Sequence, residues 1–133
     1  IAIDRSTPVR ALDRLLRQGR EKLAEGRWVV IFPEGTRMAP GEQGAFHPGG
    51  AMLAVKAGVD VLPVAHDAGR YWARRGFVKK PGLIRVRIGP PIKTEAKKAR
   101  AVNDEARDWI EGTMAALLGA PEKPVDPKKE KTA

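Results

Sequence analysis

The chain of 133 residues contains no cysteine. This absence excludes disulfide bonds, thiolate nucleophiles and cysteine-ligated metals. Long apolar runs are lacking as well: the longest stretch without a charged residue, 43–55, has 13 residues and is interrupted by three glycines and a proline. Such a stretch is too short and too broken to span a bilayer. We therefore expect neither a transmembrane helix nor a signal peptide.

Acidic residues are few relative to basic ones: 16 aspartates and glutamates stand against 25 lysines and arginines, and the net charge is +9. Nucleic acid, an anionic membrane surface and phosphorylated small molecules are all compatible with this excess. No helix-turn-helix, zinc-finger or RNP-like pattern is present, and the basic residues are scattered. We expect no nucleic-acid partner. The alternative interpretation is a basic module that binds nucleic acid or an anionic membrane surface without catalysis.

Hydrophobic periodicity predicts alternating helices and strands. The predicted elements are a strand at 1–3, a helix at 8–25 ended by Gly26, a strand at 28–32, a helix at 49–57 ended by Gly58, strands at 59–65 and 84–88, and a helical region from 94 in which Asn103 caps a second helix. The five apolar residues 28–32 are typical of a strand that is covered on both faces. This order predicts an α/β fold with a mixed, largely parallel sheet flanked by helices.

We expect one domain over residues 1–118 and a disordered basic, proline-rich tail over 119–133. The tail contains three prolines, four lysines and a single aliphatic residue larger than alanine. The chain begins with Ile1, and no methionine occurs before Met38. We therefore expect the N-terminal part of the domain to be missing.

The hexapeptide Phe32–Arg37 follows the most apolar predicted strand. Gly35 lets the backbone turn tightly and approach a ligand. Backbone amides and the Thr36 hydroxyl can donate hydrogen bonds to an anion, and Arg37 can hold a phosphate through two parallel hydrogen bonds. Glu34 is expected to orient the Arg37 guanidinium or to accept a substrate hydroxyl. The alternative is a surface turn that contains a solvated ion pair.

Asp4 and Arg5 repeat this arrangement, because they also follow a short apolar segment and precede a predicted helix. If both strands are parallel members of one sheet, Arg5 and Arg37 emerge at the same edge. Two arginines at that edge predict a phosphate site. The alternative is a salt-bridged helix entry.

The blocks Ile3–Arg5, Phe32–Arg37 and Val61–Val64, in this order and at this spacing, resemble the glycerolipid acyltransferase family, and its bacterial lysophosphatidic acid acyltransferases in particular. The resemblance covers residues 1–118. It implies a glycerolphosphate acyltransferase-like fold and a role in phospholipid synthesis.

The family resemblance implies a reaction and a set of binding residues. A fatty acyl group passes from acyl-CoA or acyl-carrier protein to lysophosphatidic acid, which gives phosphatidic acid without a cofactor. The enzymes are expected at a membrane surface, on the cytoplasmic face of the inner membrane. The matching motif residues that would bind the glycerol phosphate are Arg5, Glu34, Gly35, Thr36 and Arg37. Pro33 and Pro63 would line the acyl site or shape its strands.

The chain departs from the family in its catalytic motif, which is a histidine followed five positions later by an aspartate. Five residues after His47 is Met52, and five residues after His66 is Tyr71. We therefore expect no catalytic residue and no metal site in this chain. The motif, together with a membrane-associating segment, is expected to precede Ile1, and the chain alone is expected to be inactive.

Three further features carry weaker hypotheses. His47 is either a ligand contact or an ordinary loop histidine. His66 and Asp67 can form a general base and its orienting acid only if both side chains lie on the same face of the strand. Adjacent residues of a strand point to opposite faces, which argues against this pairing. The basic, aromatic stretch around Trp72 and Phe77 is either a contact with an anionic membrane or a solvated loop.

Overall fold

The computed structural model describes residues 8–73 and 76–119. The elements in chain order are α1 (Pro8–Ala24), α2 (Gly49–Ala57), β1 (Val64–His66), a 3-10 turn (Ala68–Arg70), β2 (Val86–Ile88) and α3 (Ala99–Gly119). The predicted strand at 1–3 lies outside the described residues, as do Asp4, Arg5 and residues 120–133 of the predicted tail. Gly119, the first residue of that predicted tail, is instead the last residue of α3. Helices and a small sheet alternate along the chain, in agreement with the predicted α/β class.

The first two helices end as the sequence predicts. Gly26 and Gly58 both have positive φ angles, of 75° and 66°. In each case the amide of the residue after the glycine donates to a carbonyl five residues back, as Arg27 does to Lys22 and Val59 to Ala54. This is the Schellman arrangement, and glycine favours it because it has no Cβ to resist the left-handed conformation.

Helices α1 and α2 pack closely where glycine removes side-chain bulk. A Cβ placed on Gly19 would overlap the side chain of Leu53, which is only 2% exposed. A Cβ on Gly49 would lie 3.1 Å from Cδ2 of Leu15. The apolar stripe of α1 therefore meets α2, as its periodicity predicts.

The sheet among the described residues consists of two antiparallel strands. β1 and β2 pair in the register Val64 to Ile88 and His66 to Val86. The pairing continues as an isolated bridge between Val61 and Ile92. Pro63 separates the bridge from β1, because proline has no amide hydrogen for the ladder. The predicted strand at 59–65 is therefore shorter than expected, and the predicted parallel pairing is not found in this part of the chain.

The prediction of a buried strand at 28–32 is wrong for this structure. Trp28, Val30 and Phe32 are 83%, 77% and 72% exposed, whereas Val29 and Ile31 are half-buried. A strand requires a hydrogen-bonded neighbour, and no described segment supplies one. Only one side of the segment is covered: a Cβ on Gly50 of α2 would lie 3.3 Å from Cδ1 of Ile31.

Helix α3 is continuous, so the predicted separate helix capped by Asn103 is also wrong. Val102 of α3 is fully buried and joins Ala51 of α2 and Ile92 in the central apolar cluster. Thr94 is buried just before α3, and its hydroxyl donates to the Val59 carbonyl at 3.1 Å. The core therefore lies between α2, α3 and the segment on either side of the Val61 bridge.

Candidate functional site

The hexapeptide forms the start of a closed loop. The Gly35 amide donates to the Phe32 carbonyl at 3.0 Å, and the φ angle of Gly35 is 66°. A tight turn thus begins directly after the apolar segment, at a position that favours glycine. The tight turn predicted at Gly35 is therefore present, and the approach of its backbone to a ligand stays a prediction.

Two hydrogen bonds close the loop over residues 33–47. The His47 amide donates to the Pro33 carbonyl at 2.9 Å. The Gly44 amide donates to Oε1 of half-buried Glu34 at 3.2 Å. Glu34 therefore holds the far side of the loop and forms no ion pair with Arg37, so its expected role in orienting that guanidinium is not seen here. We refer to residues 33–47 as the closed loop.

The imidazole of His47 lies over Gly35. A Cβ on Gly35 would be 3.6 Å from Cδ2 and 3.9 Å from Nε2 of His47. His47 is itself exposed, as are Thr36 and Arg37. The closed loop therefore presents a hydroxyl, a guanidinium and an imidazole to solvent close to one tight turn. Groups of this kind bind phosphate oxygens through charge-assisted hydrogen bonds.

Of the other predicted site residues, Arg5 is outside the described part of the chain and Pro63 is inside it. The place of Arg5 beside Arg37 therefore stays a prediction. Pro63 is buried, and its carbonyl accepts a hydrogen bond from the Gly89 amide at 2.9 Å. A Cβ on Gly89 would be 2.9 Å from Cγ of Pro63 and 2.5 Å from Cε2 of Trp109. Pro63 thus lies beside Gly89, directly after β2 and close to Trp109 of α3, and its role at the acyl site stays a prediction.

His66 and Asp67 do not form a base and its orienting acid. His66 is exposed, and its Nδ1 accepts a hydrogen bond from the Ala68 amide at 3.4 Å. Asp67 is 1% exposed and binds Arg85 instead. The alternation of side chains along a strand explains the separation.

The sequence analysis missed the network around Asp67. The Arg85 amide and Nε donate to the two carboxylate oxygens, each at 2.7 Å. Nη2 of Arg85 also donates to the Leu117 carbonyl at 2.7 Å, and Nη2 of Arg70 donates to the Leu118 carbonyl at 3.0 Å. Two guanidinium groups therefore cover the negative end of the α3 dipole. No spacing signals these contacts, since Asp67 and Arg85 are 18 residues apart.

The environment of Asp67 lowers its pKa. Burial acts to raise the pKa, but the hydrogen bonds from Arg85 and the charges of Arg85 and Arg70 outweigh it. The carboxylate is therefore ionised at neutral pH and acts as the negative centre of the network. This arrangement joins β1, β2 and the C-terminal end of α3.

Comparison with known proteins agrees with the motif order. A family model described as acyltransferase matches residues 1–67, which is half of the chain. The chain belongs to the acyltransferase family. The family model therefore covers all the motif residues of this acyltransferase chain, namely Arg5, Pro33, Glu34, Gly35, Thr36, Arg37 and Pro63.

The curated relatives carry one name. The 1-acyl-sn-glycerol-3-phosphate acyltransferase of Pseudomonas aeruginosa is 51% identical over 120 residues, which cover 88% of this chain and 47% of the relative. A chloroplastic 1-acyl-sn-glycerol-3-phosphate acyltransferase of Arabidopsis thaliana is 35% identical over 102 residues, 74% of this chain and 28% of the relative. The acyltransferase chain thus spans about half the length of the Pseudomonas relative.

A solved structure shares the fold. The crystal structure of the 1-acyl-sn-glycerophosphate acyltransferase of Thermotoga maritima matches with a TM-score of 0.74 and 28% identity, over 83% of this chain and 46% of that protein. The likeness confirms the predicted α/β, glycerolphosphate acyltransferase-like architecture. Within residues 8–73 and 76–119, none of the helices is long and apolar enough to cross a membrane.

Proposed function

We propose that this chain is the acceptor-binding part of an enzyme that acylates 1-acyl-glycerol-3-phosphate and so makes phosphatidic acid for phospholipid synthesis. The acyl donor is acyl-CoA or acyl-carrier protein. The proposal is supported by family membership, by the common name of the relatives and by the closed loop. It places the reaction at the cytoplasmic face of the inner membrane, where the acceptor lipid resides.

The closed loop is the observation that carries the proposal. The lysophosphatidate phosphate is bound by Arg37, with the Thr36 hydroxyl as a further donor, because both groups are exposed beside the tight turn at Gly35. Glu34 contributes by fixing the loop through Gly44 rather than by touching the guanidinium. Arg5 adds a second guanidinium in this proposal, as its motif position implies. Pro33 and Pro63 shape the surrounding backbone.

The reaction requires both binding of the acceptor and removal of a proton from its hydroxyl group. The free hydroxyl oxygen of the acceptor attacks the thioester carbonyl carbon, an ester bond forms, and the thiolate leaves and takes up a proton. Proton removal from the hydroxyl requires a general base such as an oriented histidine. Neither His47 nor His66 is followed by an aspartate five positions later. The role of these 133 residues is therefore acceptor binding.

Replacement of Arg37 by alanine tests this function. We expect Arg37→Ala to weaken binding of a short-chain lysophosphatidate by about tenfold or more, because a hydrogen bond to a charged group contributes about 1.5–3 kcal/mol. Isothermal titration calorimetry of the full chain measures the loss. The matched control is Arg20→Ala, which removes an exposed arginine from α1.

The control is expected to leave the dissociation constant unchanged. Equal binding by the wild-type chain and Arg37→Ala would contradict the phosphate role. A chain that binds glycerol 3-phosphate as tightly as lysophosphatidate would point to a different acceptor. Tight, steeply salt-dependent binding of an oligonucleotide without lysophosphatidate binding would favour the alternative nucleic-acid module.

A further inference from the structure

The connection between β1 and β2 concentrates the positive charge of the molecule. Between His66 and Val86 the sequence contains six basic residues and one acidic residue, Asp67, and Arg87 and Lys93 follow before the next acidic residue, Glu95. Arg70 and Arg85 in this stretch point inward to the end of α3. Lys79, together with Lys80 and Arg87, is exposed instead. A surface with one sign of charge attracts anionic partners.

The same connection exposes large apolar side chains. Phe77 is 101% exposed, Val78 is 79% exposed and Trp72 is 54% exposed. Leu83 and Ile84, further along the same connection, are about half exposed. Single exposed apolar residues are ordinary, but a contiguous group of them marks an interaction site.

The backbone holds this group in place. The Lys80 amide donates to the Tyr71 carbonyl at 2.9 Å, and the Gly76 amide donates to the Ala73 carbonyl at 3.2 Å. The ring of Tyr71 also packs so closely on Gly82 that a Cβ there would overlap it. The described residues 71–73 and 76–82 are therefore joined at their base, and we call them the basic-aromatic loop.

The composition of the basic-aromatic loop favours a lipid surface over a folded protein partner. Nζ of Lys79 lies 4.8 Å from the ring centroid of Trp72, a cation–π contact. Tryptophan and lysine side chains together occur at membrane–water interfaces, where the ring sits at headgroup depth and the ammonium contacts phosphate. Lysine is depleted in the cores of protein interfaces. The exposed aliphatic side chain of Val78 offers no ring on which a nucleic-acid base could stack, so it favours a lipid surface over RNA.

The segment that leads into the basic-aromatic loop lies next to the closed loop. A Cβ on Gly69, two residues before Tyr71, would be 3.5 Å from Cγ of Pro40 in the closed loop. The basic-aromatic loop therefore starts two residues after a contact with the closed loop. A bilayer contacted by one would bring its lipid headgroups close to the other.

We propose that the basic-aromatic loop docks this chain on an anionic phospholipid bilayer. Trp72, Phe77 and Val78 enter the interfacial region, while Lys79 and Lys80 contact lipid phosphates. The purpose of this docking is to deliver the lipid acceptor to the closed loop, and in that respect the inference rests on the proposed function. The docking itself is measurable without any acyl transfer.

Cosedimentation of the full chain with vesicles tests the proposal. We expect binding to vesicles that contain phosphatidylglycerol and little binding to phosphatidylcholine alone. Phe77→Ser is expected to reduce the partition coefficient at least fivefold. Lys79→Gln combined with Lys80→Gln is expected to reduce it by about 25-fold, since each basic residue near an anionic surface contributes about fivefold.

Matched controls separate the loop from general surface properties. Trp28→Ser removes another exposed aromatic residue, and Lys56→Gln combined with Lys98→Gln removes the same charge from two helix-associated positions. Both controls are expected to bind vesicles as the wild-type chain does. The tryptophan emission of the wild-type chain is expected to shift to shorter wavelength on vesicle binding, and the shift is expected to shrink in Trp72→Phe.

The outcomes distinguish this inference from the proposed function. Equal loss in the loop variants and the controls, or no preference for phosphatidylglycerol, would overturn the docking role. Loss of docking in the loop variants with unchanged binding of soluble short-chain lysophosphatidate supports both proposals. Vesicle docking without any lysophosphatidate binding would leave the loop assignment in place and overturn the acceptor role. If the chain bound RNA through the basic-aromatic loop and did not bind vesicles, the docking proposal would be overturned, and the partner of the loop would be nucleic acid.

Discussion

Asp67 illustrates how a single buried charge organises this part of the chain. Its carboxylate is fully covered, while the Arg85 side chain that binds it is 23% exposed. A charged side chain loses its hydration when it is buried, and only close hydrogen bonds and an opposite charge offset the free energy of that loss. Arg85 provides two of these bonds and then extends to the end of α3. Removing the charge therefore affects three elements at once.

We expect Asp67→Asn to lower the free energy of unfolding by about 3 kcal/mol, because breaking a buried ion pair leaves an uncompensated charge. Urea denaturation at neutral pH measures the change. The control is Asp60→Asn, which breaks the exposed pair between Asp60 and Lys93. A similar small effect from both substitutions would show that the Asp67 pair does not stabilise the fold.

The same variant has a defined pH signature. Because the pKa of Asp67 is lowered in the folded chain, its contribution to stability is present above the unfolded pKa, near about 4, and is lost as the pH falls through the folded value. The difference between the wild-type chain and Asp67→Asn should therefore shrink on acidification below about pH 4. A difference that stays constant down to low pH would assign the effect to packing.

At the scale of the elements, the contact between α1 and α2 depends on glycine within a helix. Gly19 costs about 1 kcal/mol of helix propensity relative to alanine, so a packing reason is needed for it. The reason is Leu53, which occupies the space that a side chain at Gly19 would need. Gly112 in α3 has no heavy atom within 4 Å of its ideal Cβ position.

The two glycines provide a matched pair of substitutions with opposite expected signs. Gly19→Ala is expected to destabilise the chain by about 1–2 kcal/mol, since overpacking outweighs the gain in helix propensity. Gly112→Ala is expected to stabilise it by up to about 1 kcal/mol. Thermal and urea unfolding measure both. Stabilisation by Gly19→Ala would mean that Leu53 moves aside without cost.

The helices were predictable from local patterns, and the strands were less so. The periodicity of leucines and the glycines at positions 26 and 58 determine where α1 and α2 end. Asn103 has the chemistry of a cap, but the apolar stripe continues through it from Val102 to Leu117, so α3 is unbroken. The segment 28–32 has the residues of a strand and lacks a described neighbour to pair with.

At the scale of the whole molecule, acceptor binding and proton removal are separate requirements. The chain contains two histidines, and no hydrogen bond or ion pair joins either of them to a carboxylate among residues 8–73 and 76–119. The His66 imidazole accepts a hydrogen bond from the Ala68 amide, and the His47 imidazole lies near Gly35. We expect the purified 133-residue chain to produce no phosphatidic acid above the uncatalysed rate from acyl-CoA and lysophosphatidate. Thiol release is the readout.

The positive control for that assay is acceptor binding by the same preparation, which shows that the chain is folded. Turnover at a rate comparable to that of a longer relative would mean that a general base is present here. His47→Gln and His66→Gln would then locate it, because only a true base would abolish thiol release while leaving acceptor binding intact.

Residue types and their spacing were enough to predict the family, the ends of α1 and α2 and the α/β class. These depend on residue type, local spacing and motif order, which are properties of short segments. The hydrogen bond from Gly44 to Glu34, the inward position of Asp67 and the proximity of Gly69 to Pro40 depend instead on the tertiary fold. Each of these contacts joins residues that are distant in sequence. Such pairings form because the packing of the chain brings the groups together and removes them from water.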